Sequence, residues 1–104
     1  MKLSYSTNKL KKILEDNKLI WRNYSKFAER LITVLDVLRA EPDLKSIPET
    51  MPLRRHKLSN DKKGYWGVCI NKNYRLIIKP VGQFDDNDLS TVKEIEITEI
   101  EDYH

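Results

Sequence analysis

The sequence is poor in the residues from which most chemical sites are built, with one cysteine, three glycines and two histidines among 104 residues. A lone Cys69 excludes an internal disulfide framework and any multi-cysteine zinc site, and its small side chain reads as a sheet residue. No HExxH motif and no carboxylate cluster beside a histidine occur at ligand spacing, so no metal is expected. No glycine-rich phosphate loop is present, which argues against ATP or NAD and leaves no cofactor expected. No run approaches the ~18 uninterrupted apolar residues of a membrane span. The start, MKLSYSTNKLKK, has no apolar signal core, so a cytoplasmic protein without membrane contact is expected. The length suits one compact domain over residues 1–104. A chain of this size buries roughly 65% of its unfolded surface, enough for a core without staples.

What is present is charge, unevenly spread. Residues 1–40 carry nine Lys/Arg and four Asp/Glu, residues 41–80 the same, and residues 81–104 one Lys and eight acids. The formal net charge of +3 hides this asymmetry. Two basic thirds followed by an acidic end point to a polyanionic partner.

The apolar pattern predicts an α+β domain. Residues 2–6 alternate as a short first strand, Ser6 or Thr7 is a candidate N-cap, and Leu10, Ile13 and Leu14 recur at helical spacing over 8–15. From Trp21 to Ala40, Trp21, Tyr24, Phe27, Ala28, Leu31, Ile32, Leu35 and Leu38 step by three and four, which predicts one long helix with an aromatic-lined core face. Pro42, Pro48 and Pro52 bar regular helix from the connection that follows. Residues 53–58, 65–70, 74–79 and 92–98 then read as strands separated by the turn SNDKKG, the turn NKN and a polar loop. The expected architecture is a short N-terminal strand, a helical hairpin with a long second helix, and a small, mainly antiparallel sheet.

Strand parity turns Trp66, Val68 and Ile70, with Tyr74, Leu76 and Ile78, toward the helices. The opposite face carries Tyr65, Gly67, Cys69, Arg75, Ile77 and Lys79. Together with Arg54, Arg55, His56, Lys57, Lys62 and Lys63, this suggests a basic, aromatic-bearing surface suited to single-stranded RNA. His56 and the terminal Asp102, Tyr103 and His104 are the candidates for chemistry. Two histidines with cations nearby suit RNA cleavage, in which a base takes the 2′-OH proton and an acid protonates the departing 5′-oxygen. The runs Asp85, Asp86, Asp88 and Glu94, Glu96, Glu99, Glu101 read as solvated surface.

The run LRRHKLSNDKKGYWGVCINKNYRLIIKP, followed by VKEIEITEIEDYH, resembles the RelE/ParE toxin superfamily in its HigB-like branch. The similarity rests on H-x-L-x-x-D-x-x-G-x-W-x-V, Y-R-L-I and E-I-x-D-Y-H in that order. It implies a ribosome-dependent endoribonuclease that cuts mRNA during translation. It also implies a helix-turn-helix, HigA-like antitoxin partner, and contact with operator DNA through that antitoxin alone. By the resemblance, His56 and His104 transfer protons, Tyr103 orients substrate or assists proton transfer, and Asp102 positions a histidine or hydroxyl. Arg75 falls where such toxins place a phosphate-contacting cation, and Lys57, Lys62 and Lys63 match as RNA contacts. The superfamily also holds ParE-like members that inhibit DNA gyrase without cutting RNA. A non-catalytic RNA- or ribosome-binding module is the third possibility.

Overall fold

A computed structural model describes residues 1–103. Its elements are β1 (Lys2–Tyr5), α1 (Asn8–Leu14), α2 (Asn17–Asn23), α3 (Ala28–Ala40), β2 (His56–Lys57), β3 (Trp66–Cys69), β4 (Tyr74–Pro80) and β5 (Glu94–Asp102). The sheet order is β1-β5-β4-β3-β2. β1 lies parallel to β5, and the remaining pairs are antiparallel. The parallel pair follows from connectivity, because the whole helical layer intervenes in sequence between the first strand and the rest.

Thr7 caps α1 by accepting from the Leu10 amide. The long helix expected over 21–40 is two helices. Asp16 opens α2 early by accepting from the Lys18 and Leu19 amides, and α2 ends at Asn23 with Tyr24 as its C-cap. The following run, Asn23-Tyr24-Ser25, consists of weak helix formers, and Asn23 bonds back to the Leu19 carbonyl. The turn lets Phe27 stack on Tyr74, with ring centroids 4.4 Å apart, and contact Tyr24 at 5.5 Å. Trp21 consequently leaves the expected core stripe and stands 50% exposed. The buried stripe of α3 is Ala28, Leu31, Val34, Leu35 and Leu38. It packs against the sheet's inner face of Val68, Ile70, Leu76, Ile78, Ile95 and Ile97.

Two strand bounds also differ from expectation. The strand expected over 53–58 contracts to His56–Lys57, because Arg54 adopts φ 44° and so cannot continue an extended run. The strand expected over 92–98 begins at Glu94 and continues to Asp102. Its pairing with β4 contains one irregularity. Ile78 pairs with Ile97 but Ile77 pairs with Glu99, so Thr98 is an extra residue in the ladder. Its hydroxyl donates to the Ile77 carbonyl at 3.0 Å.

The helix break gives a discriminating stability prediction. Leu35→Ala should lower unfolding free energy by about 2–5 kcal/mol, as for other buried leucines. Trp21→Ala should cost less than about 1 kcal/mol, because half of that ring is already in water. Urea unfolding of both variants distinguishes two helices from one continuous core-facing helix.

Candidate active site

The outer face of the sheet is built by register. His56, Gly67, Ile77 and Glu99 form one cross-strand row, and Cys69, Arg75 and Glu101 form the next. The extra Thr98 decides this. Strict alternation from Ile95 and Ile97 would turn Glu99, Glu101 and Tyr103 inward; the bulge reverses the parity and brings them to the face that holds Arg75.

His56 lies flat on the sheet because Gly67 has no side chain. A Cβ at position 67 would stand 2.8 Å from the His56 Cε1 and 3.0 Å from Nε2. On the other side of the ring, Nδ1 is 2.8 Å from the Arg54 carbonyl oxygen. A carbonyl only accepts, so Nδ1 carries the hydrogen and the neutral ring keeps its basic lone pair on Nε2. The left-handed turn at Arg54 thus fixes the histidine's tautomer.

His56, Lys62 and Arg75 line one cleft of about 400 Å³. The Arg75 guanidinium is held by Glu101, with Nε to Oε1 at 2.8 Å, and its Cζ lies 4.9 Å from the Tyr103 ring centroid. Lys62 reaches across the sheet to Glu99 at 3.0 Å and Glu101 at 3.4 Å. The Tyr103 hydroxyl is 3.7 Å from the Cys69 Sγ, and its amide donates to the Asn73 carbonyl.

These contacts set the local proton affinities. Burial alone would push the Glu101 carboxyl up, but the hydrogen bonds and charges of Arg75 and Lys62 outweigh it and hold the group below the usual carboxylate range. Hydrogen bonds to Glu99 and Glu101 push the Lys62 ammonium up. The hydrogen bond with Cys69, followed by burial, raises the Tyr103 phenol, which stays protonated at neutral pH.

The structure disperses part of the expected cationic surface. Arg55 is buried, donates from Nε to the Ile47 carbonyl at 2.8 Å and lies over the Trp66 ring. Lys57 pairs in register with Trp66 and places its Nζ 5.7 Å from that ring, although the residue also borders the cleft. The physical reason is strand alternation in β2, which sends His56 to one face and its two cationic neighbours to the other. Arg54 and Lys63 are exposed in turns, and Lys79 is on the outer face above Tyr65. Asp102 pairs in register with Tyr74 and so leaves the sheet on the helix side, opposite to Tyr103. His104 lies outside the described residues. Glu101, read from the sequence only as solvated surface, is the residue that was missed. Its signal was the E-I-E spacing placed one residue out of phase with Ile95 and Ile97. Among the described residues no three His, Cys, Asp or Glu side chains converge as a metal-binding group.

Solved structures share this architecture. The YoeB/ParE toxin from Agrobacterium tumefaciens superposes with a TM-score of 0.60 at 15% identity, covering 100% of both chains. YafQ from E. coli strain BL21(DE3) gives 0.61 at 16%, over 97% of this chain and 91% of that one. The YoeB-YefM complex from Staphylococcus aureus gives 0.53 at 22%, over 100% and 97%. A comparison with curated protein sequences finds no significant match. The fold is that of the RelE-like toxins. Residues 3–92 match the HigB-like toxin family, described as the RelE-like toxin of the type II toxin-antitoxin system HigB, and this chain belongs to that family.

Gly67→Ala should turn the His56 ring off its seat and break the bond to the Arg54 carbonyl. Long-range nitrogen–proton NMR should show the Nδ1-protonated tautomer in the parent and its loss in the variant. For Glu101, the folded pKa is lowered, so its contribution to stability is full above the unfolded value of about 4.3 and is lost as pH falls through the folded value. Glu101→Gln should therefore show a shallower fall in Tm than the parent on acidification below about pH 4.

Proposed function

We propose that this chain is a ribosome-dependent endoribonuclease that cleaves mRNA during translation. The observation that carries this reading is the single cleft in which His56, with its basic Nε2, stands with Lys62 and Arg75. Membership of a toxin family that includes endoribonucleases supports it. Nε2 takes the proton of a ribose 2′-hydroxyl, and the 2′-oxygen then forms a bond to the adjacent phosphorus. The bond to the 5′-oxygen breaks and a second acid protonates it, leaving a 2′,3′-cyclic phosphate and a 5′-hydroxyl end. Arg75 and Lys62 face the charge that develops on the phosphoryl oxygens. Their present partners are carboxylates, so a phosphate enters by replacing one anion with another.

His104 is the proposed second proton-transfer group. Tyr103, already packed under Arg75, orients the substrate. The proposed role of Asp102, at the end of β5, is to position a histidine or a substrate hydroxyl. The proposed setting is the cytoplasm, with no helix long and apolar enough to cross a membrane among the described residues. The proposed partners are the ribosome with its message and a helix-turn-helix antitoxin of the HigA kind. Operator DNA is reached through that antitoxin.

Purified protein added to a cell-free translation reaction should produce new mRNA 5′ ends within translated codons, and far fewer on naked message. His56→Ala should lower the cutting rate by a factor of about 100 or more. Intact message at excess toxin, with loss of gyrase supercoiling activity instead, would transfer the chain to the gyrase-directed branch.

A further inference from the structure

A second cavity, of about 650 Å³, opens beside the proposed active-site cleft. Its walls include Tyr65, Phe84 and Leu89, with Lys57, Lys63 and Lys79 also lining it. Lys57, Leu58, Ser59 and Asn60 border both cavities, so the two adjoin across this short segment. The proposed function uses none of the aromatic residues here.

We infer that this cavity is a nucleobase subsite, which takes one unstacked base of the single-stranded RNA on an aromatic wall while lysines hold the flanking phosphate. This rests on the nuclease reading and specifies how that nuclease holds its substrate beyond the scissile bond. Three features support it. The cavity is mixed in character, since Phe84 and Leu89 pack against the protein core and offer apolar surface, while Lys79 sits 5.7 Å from the Tyr65 ring centroid. Flat rings beside ammonium groups suit a base with its phosphate. Three lysines face one lining acid, Asp86, which gives the walls a positive excess that a polyanion complements. Finally, its volume lies within the range of small-ligand sites, room enough for one base. A protein partner inserting an apolar side chain would find no use for three lysines, so the nucleotide is favoured.

The test uses a short, fluorescently labelled single-stranded RNA, 2′-O-methylated so that it resists cleavage, and a set of versions made abasic at each position in turn. With the full chain, one abasic position should weaken binding about 5- to 150-fold, the loss expected for one stacked base. Phe84→Ala should weaken binding of the intact RNA by a similar factor, and the same abasic position should then cost it nothing further. Lys63→Ala changes an exposed side chain and should leave folding untouched. It should reduce the slope of log affinity against log salt by about 0.7, one single-strand phosphate contact. RNA binding indifferent to every abasic position and to both substitutions, or no RNA binding, overturns the subsite. So does a Phe84→Ala variant that keeps RNA affinity but loses the antitoxin, which would reassign the pocket to the protein partner. If the parent protein still cuts message on ribosomes in any of those cases, the nuclease reading survives without this subsite.

Discussion

The register between β4 and β5 is the constraint on which this molecule's chemistry depends. A strand has a period of two, so a single added residue exchanges the faces of everything beyond it. Thr98 is that residue. Before it, β5 supplies Ile95 and Ile97 to the core; after it, the same strand supplies Ile100 to the inner side and Glu99 and Glu101 to the outer side, with Tyr103 just past its end. The Thr98 hydroxyl bond to Ile77 anchors the irregularity. One strand thereby closes the core along its first half and presents the carboxylates that pair with Lys62 and Arg75 along its second.

Electrostatics reinforce the same arrangement. The acidic end of the sequence contributes the carboxylates that hold Arg75 and Lys62 in place. Glu101 bridges both cations, so the two positive groups are fixed relative to one another before any substrate arrives. Preorganised cations cost little further ordering when an anion binds. The arrangement also explains why the apparent charge asymmetry of the sequence overstates the free positive surface. Arg55 is consumed by the Ile47 carbonyl and Trp66, and Lys62 and Arg75 by acids.

Much of the fold was legible in the sequence because period and punctuation agreed. Thr7 capped a helix as its type suggests, and the alternation in YWGVCI and YRLIIK named the inner face residue by residue. The helix break at Tyr24 was hidden because Trp21 and Tyr24 continue the three-and-four spacing of the residues after them; only the weak helix formers at 23–25 oppose it. For the site, His56 and Arg75 were recognisable, and the structure brings them to one cleft. The split of Arg55 and Lys57 from His56 followed from alternation in β2 and was available in principle. Glu101 was harder to read, because the phase change between Ile97 and Ile100 is its one signal and only the pairing with β4 turns that change into a bulge.

The outer-face row beneath the ion pairs has a further consequence. Lys62 comes from the connection before β3 and Glu99 from β5, so their bond spans the face above β3 and β4. Ile77 lies in that row, only 1% exposed despite being on the side away from the helices. The Lys62–Glu99 pair therefore spans a face that includes one dry, apolar position. Charges beside a buried apolar side chain are less screened on that side than charges surrounded by water, which strengthens their mutual attraction. A side chain with no charge of its own, turned away from the main core, sets the local dielectric in which the charged groups act.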